Sequence, residues 1–120
     1  MPFTTEGGYA AAGELMTDHP DIDGFFCATD SIAIGAMQRL TEQGYSIPRD
    51  VKVCGVGHSR LSRVVSPKLT TAHLFYGRSG SEAARMLISL IEGKIPPAEQ
   101  IKLPVELVKD QTTASDQEGR

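Results

Sequence analysis

The sequence predicts an α/β fold in which a parallel sheet is flanked by helices. Two observations support this prediction: short apolar stretches alternate with longer segments of helical periodicity, and glycine or proline separates most of them. Strands that alternate with helices are typical of βαβ units, in which successive strands lie parallel. With 120 residues, the chain is long enough for one modest domain with a single core.

Composition and charge exclude several classes of protein. Hydrophobic residues make up 40% of the chain, charged residues make up 22%, and the formal net charge is −3. A slightly acidic chain lacks the basic surface that binds nucleic acids or anionic membranes. The first residues do not show the charged-then-apolar pattern of a secretion signal, and no apolar run approaches the roughly 18 residues of a membrane span. We therefore expect a cytoplasmic chain that makes no membrane contact.

The first helix is predicted between Thr5, its expected N-cap, and the pair His19-Pro20, because proline restrains the residue before it. The apolar stripe of this helix has the spacing i, i+3, i+4, i+7 and consists of Tyr9, Ala12, Gly13 and Met16. Residues 24–28 (GFFCA) then form a short continuous apolar run. Such a run predicts a strand that is covered on both faces.

A second helix is predicted after residues 29–31 (TDS), which offer candidate N-caps, and Gly44 fits the position after its end. The stripe that should face the core consists of Ala33, Ala36, Met37 and Leu40. Ile32 and Ile34 fall outside this stripe and widen the apolar surface. We therefore predict that these two isoleucines contribute to a dimer interface.

The second half of the chain alternates in the same way. Val51 to Val56 and Leu69 to Ala72 are predicted strands, and Leu61 to Val65 is a predicted helical turn between them. A third helix is predicted over Ser79 to Glu92, with an apolar face that consists of Ala84, Leu87, Ile88 and Ile91.

The last residues predict less regular structure. Ile101 to Val108 is compatible with one or two short strands around Pro104. From Lys109 onward the chain is polar and has no periodicity. We therefore predict one folded lobe over residues 1–108 and a mobile polar tail over residues 109–120.

Both cysteines, Cys27 and Cys54, lie inside apolar strand-like runs. Buried thiols of this kind behave as small hydrophobic residues in a reducing compartment. A disulfide between them is the less favoured alternative, and no ligands lie at a spacing that would complete a metal site with them.

The stretch VKVCGVGHSR, residues 51–60, carries the most pronounced chemical signal. It is a strand that ends in two glycines with one residue between them, followed by His58 and Ser59. Ligands of parallel α/β sheets bind at the carboxyl ends of strands, and Thr29-Asp30 is a second such end. Three interpretations compete: a phosphate-binding turn, a His/Ser catalytic pair, and the rim of a small-molecule pocket.

The first two interpretations are weak. A dinucleotide-binding fingerprint needs a third glycine where this chain has Arg60. His58 and Ser59 are neighbours, and the side chains of neighbours in an extended chain point in opposite directions. The three histidines have no zinc-binding spacing. We therefore predict that the chain is not an enzyme and holds no cofactor or metal. A pocket rim and a purely structural role for these residues both stay open at this point.

Five stretches in a fixed order resemble a known family. They are FTTEGGY at 3–9, DIDGFFCATDSIAIGA at 21–36, GYSIPRDVKVCGVG at 44–57 followed by His58, SPKLTT at 66–71 and LVKDQTT at 107–113. Together they are similar to the C-terminal part of lactose/galactose-repressor-family transcription regulators. The resemblance covers nearly the whole chain up to about Thr113.

This resemblance implies a helix-turn-helix DNA-binding domain followed by a two-lobed, periplasmic-binding-protein-like effector domain. The present chain corresponds to the second lobe, and its segment 79–93 corresponds to a helix that crosses into the first lobe. Without that first lobe, the apolar face of the third helix should be exposed. The expected protein is a homodimeric repressor of a sugar-utilisation operon, which binds operator DNA only through the missing domain. A periplasmic-type sugar-binding protein of a transport system is the alternative.

The resemblance also implies which residues contact the effector. Phe3 matches an aromatic residue that stacks on the effector, and Tyr76 matches a ring that lines the cleft. Thr29 and Asp30 match an Asn-Asp pair whose first member reaches the ligand, so Thr29 departs from the common pattern.

Gly57 stands where many members carry an aspartate that holds two sugar hydroxyls, and His58 follows it. Trehalose and sucrose repressors resemble this chain in having a Thr-Asp pair and a similar turn after the strand. The implied effector is therefore a sucrose-, fructose- or trehalose-related sugar or sugar phosphate, with a sucrose-operon repressor favoured. His58, or a different effector shape, must compensate for the missing carboxylate.

Overall fold

A computed structural model describes residues 1–94 and 100–115. It divides into two compact units, the first containing residues 1–73 together with the chain from 107 onward, and the second containing residues 74–106. The helices are α1 (Thr5–Asp18), α2 (Asp30–Glu42), α3 (Arg60–Val64) and α4 (Tyr76–Ile91), and a single 3₁₀ turn, η1, spans Gln111–Thr113. The strands are β1 (Gly24–Phe26), β2 (Lys52–Val56), β3 (Thr70–His73) and β4 (Glu106–Val108).

The four strands form one sheet in the order β1-β2-β3-β4. β1, β2 and β3 are parallel, with Phe25 beside Val53 and Gly55 beside Thr71. The segment that follows β4 runs in the opposite direction to β3, because Lys68 pairs with Thr112 while Thr70 pairs with Asp110. The predicted α/β class is confirmed, and the parallel arrangement holds for the first three strands of a mixed sheet.

Helix α1 packs against α2, and α2 packs against β2. Glycine is needed where α1 and α2 cross, because a side chain on Gly8 would overlap the carbonyl oxygen of Ile32 and one on Gly35 would overlap that of Thr5. The N-cap of α1 is Thr4, whose Oγ1 accepts a 3.0 Å hydrogen bond from the Gly7 N–H, rather than the predicted Thr5.

The core lies between α1, α2 and one face of the sheet. The predicted stripes of α1 and α2 are buried there except for Tyr9, which is half-buried. The core is made of Ala12, Met16, Cys27, Ile32, Ala33, Ala36, Met37, Leu40, Val51, Val53 and Leu69. Ile32 is only 5% exposed, which corrects its prediction as an interface residue, because it faces α1 at the helix crossing. Ile34 is half-buried at the edge of the core and stays accessible.

The 3₁₀ turn η1 contacts β2 and β3. The prediction of a mobile tail from Lys109 onward is wrong for residues 110–113. Thr112 is fully buried, its Oγ1 accepts a 2.8 Å hydrogen bond from the Thr70 N–H, and its own N–H donates to the Lys68 carbonyl. These polar residues have no apolar periodicity because hydrogen bonds to the sheet, rather than an apolar face, fix their position. Residues 116–120 of the predicted tail lie outside the described residues.

The prediction that residues 24–28 are covered on both faces is also wrong, since Gly24, Phe26 and Ala28 are exposed. Phe26 is 78% exposed and lies on the edge strand, beside its register partner Cys54. Cys27 and Cys54 are both free thiols.

The second unit contains helix α4, which begins at Tyr76 rather than at the predicted Ser79. Its apolar face is exposed as predicted, with Leu87 58%, Ile88 56% and Ile91 76% accessible. In the part of the chain that the structure describes, no helix is long and apolar enough to span a membrane.

Candidate functional site

The carboxyl ends of β1, β2 and β3 lie at the same edge of the sheet, because these three strands are parallel and adjacent. Polar residues follow or end each of these strands. We call this group the strand-end cluster, and it consists of Asp30, His58, Ser59, Thr71 and His73.

Asp30 is the acceptor that connects the three strands. It is 3% exposed, its Oδ2 accepts a 2.7 Å hydrogen bond from the Ser59 N–H, and its Oδ1 accepts a 2.6 Å hydrogen bond from the Thr71 hydroxyl. Because both carboxylate oxygens are used inside the protein, Asp30 positions its neighbours and does not present a carboxylate at the surface. This geometry corrects the prediction that Asp30 contacts an effector.

Close packing of the backbone makes this arrangement possible. A Cβ atom on Gly55 would lie 2.5 Å from Asp30 Oδ1, so a side chain at this position would displace the carboxylate. The Gly57 N–H donates to the Ala72 carbonyl and extends the β2–β3 ladder by one bond. Gly57 has a φ of 128°, a conformation that side chains disfavour. The first two glycines of the phosphate-loop alternative therefore have structural roles.

His58 has an unusual backbone conformation, with a φ of 51°. Its N–H donates a 3.1 Å hydrogen bond to Thr71 Oγ1, the same hydroxyl that donates to Asp30. A non-glycine residue with positive φ is strained, and such strain persists only where surrounding contacts hold it. The Asp30–Thr71 pair supplies those contacts.

The ring of His58 contacts the ring of His73, which ends β3. The two ring centroids are 5.1 Å apart and the ring planes meet at 78°. Both histidines are half-buried. The sequence indicated His58 but not this pairing. The two histidines are neighbours because of the parallel register of β2 and β3, in which Gly55 lies beside Thr71.

The structure places the other predicted site residues as follows. Thr29 is the N-cap of α2, and its Oγ1 accepts a hydrogen bond from the Ile32 N–H, which leaves its hydroxyl proton free to donate. Phe3 is 68% exposed and directly precedes the α1 N-cap, and the start of α1 lies against the first turns of α2. Tyr76 is 60% exposed and is the first residue of helix α4 in the second unit.

The cluster has little capacity for nucleophilic chemistry. Ser59 Oγ is buried and has no hydrogen-bond partner among the described residues, so His58 does not activate it as a base. Burial, with a smaller contribution from the charge of Cys54, raises the pKa of Cys27 to about 11, so this thiol stays protonated near neutral pH. Among residues 1–94 and 100–115, no three His, Cys, Asp or Glu side chains are grouped to hold a metal ion.

Comparison with known families identifies the class to which this fold and this strand-end site belong. The model of the periplasmic binding protein-like domain matches residues 2–113, and the chain belongs to this family.

Curated relatives include bacterial transcription regulators. The chain is 36% identical over 106 residues to the HTH-type transcriptional repressor PurR of Mannheimia succiniciproducens, covering 88% of this chain and 32% of that protein. It is 33% identical over 112 residues to PurR of Yersinia enterocolitica, covering 93% of this chain and 33% of that protein. The chain thus spans about one third of the length of these relatives. These relatives are repressors, which agrees with the prediction that the chain is not an enzyme.

Solved structures agree with this assignment. A LacI family transcriptional regulator from Arthrobacter sp. FB24, in complex with lactose, has a TM-score of 0.84 at 30% identity, over 93% of this chain and 42% of that one. The transcriptional regulator CelR in complex with cellobiose has a TM-score of 0.88 at 30% identity, over 92% of this chain and 34% of that one. The chain is therefore similar to the effector domain of LacI- and PurR-family regulators.

Proposed function

We propose that the chain is the effector-sensing part of a cytoplasmic transcriptional repressor that controls a sugar-utilisation operon. The observation that carries this proposal is the strand-end cluster, which lies on a periplasmic-binding-protein-like lobe at the edge where parallel sheets bind ligands. Two similar regulators were solved with lactose and with cellobiose, which supports a sugar as the effector here. Operator DNA would bind through a domain outside these 120 residues.

Phe3, Thr29 and the turn at Gly57-His58 are the proposed effector contacts of the first unit. Tyr76, in the second unit, is proposed separately as an effector contact. Phe3 offers an exposed ring that can stack on the apolar face of a sugar, and Thr29 has a free hydroxyl proton. Gly57 provides no carboxylate to hold two sugar hydroxyls. A galactoside that depends on such a carboxylate is therefore disfavoured as the effector. A sucrose-, fructose- or trehalose-related effector fits better, and a sucrose-operon repressor is the specific form of the proposal.

The regulator would act as a homodimer. Ile34 lines an open groove of about 320 Å³ on the outer side of α2, together with Met37, Gln38, Thr41, Glu42, Val65 and Ser66. Its apolar wall and polar rim are compatible with a protein–protein contact. The effector would change operator affinity only if it binds two arrangements of the dimer with different affinities.

The alternative is a periplasmic-type sugar-binding protein, which would share this fold. The similarity to HTH-type repressors favours the regulator. A mobility-shift measurement on the full-length protein separates the two, because only a regulator binds a DNA operator and responds there to a sugar.

A thermal-shift screen of the full-length protein tests the proposed effector. We expect sucrose, fructose, trehalose or a phosphate of one of them to raise the unfolding temperature more than lactose or galactose does, since a ligand at about 100 times its Kd stabilises by roughly 2.7 kcal/mol. His58→Ala should reduce this shift and spare operator binding, whereas His19→Ala, in an exposed turn, serves as the matched control. If no sugar shifts the unfolding temperature, the proposal is wrong.

A further inference from the structure

We propose that the groove between the carboxyl-terminal halves of α1 and α2 binds a free α-amino acid. The carboxylate of this ligand would contact Arg39, and its ammonium group would contact Glu14 and Asp18. The site is separate from the strand-end cluster, because Asp30 begins α2 and Arg39 lies in its last turn, about 14 Å further along the axis at roughly 1.5 Å per residue. The inference therefore does not depend on the proposed function.

The groove has the size of a small-molecule site and lies within the first unit. Its volume is about 450 Å³, and its lining includes three charged side chains, Glu14 and Asp18 from α1 and Arg39 from α2. Sites for small molecules have volumes of roughly 300–1,000 Å³. Because α1 and α2 pack against each other, two helices form the walls of the groove.

The guanidinium of Arg39 is held in position by its neighbours. Its Cζ lies 4.9 Å from the centroid of the Tyr9 ring, and the Tyr9 hydroxyl donates a hydrogen bond to Glu42 Oε2 on α2. The group also lies against the backbone of Gly13, where a Cβ atom would be 2.7 Å from Nε and 2.9 Å from Cζ. A charged group that is already positioned loses less entropy when a ligand binds.

Arg39 has no anionic partner among the described residues. Its Nε is buried without a hydrogen bond, and neither Glu14 nor Asp18 forms an ion pair with the guanidinium. Nε is the one nitrogen of the group that is both buried and unpaired, so the two Nη nitrogens stay open to the groove. A guanidinium can donate two parallel hydrogen bonds to one carboxylate. We therefore assign the carboxylate of the ligand to this side chain.

The mixed charge of the groove determines the class of ligand. Glu14 and Asp18 are exposed carboxylates one turn apart on α1, so they would repel an anion that carries no positive group. Arg39 would in turn repel a simple cation. An α-amino acid carries both charges on one carbon atom and can satisfy both walls at once. The Tyr9 ring and Ala10 add apolar surface for its side chain.

A thermal-shift screen of the full-length protein with each of the twenty protein amino acids identifies the ligand, and calorimetry then measures its affinity. Two derivatives of the amino acid with the largest shift are the matched probes: the N-acetyl form lacks the ammonium group, and the amide lacks the carboxylate. Each should bind at least about tenfold more weakly than the parent, because each loses one charged contact. Equal binding by either derivative, or no shift with any of the twenty, would overturn the inference.

Two variants test whether the ligand lies in the groove. Arg39→Lys keeps the positive charge but loses the planar fork, and should weaken binding by about tenfold. Gly13→Ala adds a Cβ where the guanidinium lies, so it should displace Arg39 and weaken binding by a similar factor. It should not lower the unfolding midpoint, since alanine favours helix. If it does, Arg39→Lys alone decides.

The matched controls are Arg63→Lys in α3 and Gly80→Ala in α4, which make the same changes outside the groove. Both should bind the amino acid as tightly as the unchanged protein does. Binding that survives both groove variants would mean that the amino acid binds elsewhere, and the proposed site would then be wrong. Sugar binding and operator binding are measured separately, so this result would leave the proposed function standing.

Discussion

Helices α2 and α4 have similar lengths and similar apolar stripes but very different surroundings. α2 has 13 residues, seven of which are buried, whereas none of the 16 residues of α4 is buried. α2 lies between α1 and the sheet, and its stripe forms the centre of the core. In α4 the corresponding side chains, Leu87, Ile88 and Ile91, are mostly exposed. An apolar stripe therefore predicts that a helix needs a partner, but it does not show that the partner is present.

The apolar stripe of α2 stabilises the chain, whereas the apolar stripe of α4 is not covered by another surface of the described residues. Burial of apolar area contributes about 25 cal/mol per Å², so the stripe of α2 stabilises the first unit directly. The stripe of α4 adds almost nothing until something covers it, and exposed apolar patches of this kind mark interaction surfaces. The predicted partner of α4 is the other lobe of the longer regulators, which the present chain does not contain.

The same substitution in the two helices should give the largest contrast. Leu40→Ala removes a side chain that is 0% exposed and should lower the free energy of unfolding by about 2–5 kcal/mol, because it creates a core cavity. Leu87→Ala removes one that is 58% exposed and should change it by less than about 0.5 kcal/mol. Urea denaturation followed by circular dichroism measures both. Equal losses in the two variants would mean that α4 is buried in solution.

The two units also differ in the burial of their polar contacts: the hydrogen bonds of Asp30 are buried, whereas the ion pair of Glu82 is exposed. Asp30→Ala leaves the Ser59 N–H and the Thr71 hydroxyl without their acceptor inside the protein, which should cost about 2–4 kcal/mol. Asp30→Asn keeps one acceptor and should cost about half as much.

The matched control is Glu82→Ala in α4, which breaks the exposed pair with Arg85 and should cost only about 0.3–0.5 kcal/mol. The same denaturation experiment compares the three variants. An Asp30→Ala cost no larger than the Glu82→Ala cost would show that the strand-end cluster is not held by this carboxylate.

Most of the regular structure was predictable because its periodicity is a local property of the sequence. The stripes of α1 and α2, the strand at Lys52–Val56 and the turn at Arg60–Val64 all follow from residue patterns within one element. The strand-end cluster was only half predictable. His58 could be singled out from the turn that contains it, but Thr71 and His73 joined it through the register of β2 and β3, which no single segment encodes.

Errors occurred where long-range contacts override local pattern. Ile32 looks like a surface residue by its helical position, yet the close approach at Gly8 buries it against α1. Asp30 looks like a helix cap or a ligand contact, yet bonds to residues 29 and 41 positions away fix it inside the cluster. The segment after Lys109 looks disordered, yet its threonines bond to β3.

Thr112 allows the most specific comparison of the first unit with α4, because a single hydrogen bond can be removed there. Thr112 follows α4 in sequence but packs in the first unit. Thr112→Val keeps the shape of the side chain and removes only Oγ1, the acceptor of the buried Thr70 N–H. The unfolding free energy should fall by about 1–2 kcal/mol, the cost of one unsatisfied buried donor.

The control is Ser81→Ala, on the exposed surface of α4, which should leave the unfolding free energy unchanged or raise it slightly, since alanine favours helix. Amide exchange at Thr70 should also accelerate in Thr112→Val alone. If exchange at Thr70 stays slow, the segment after Lys109 does not close this edge of the sheet in solution.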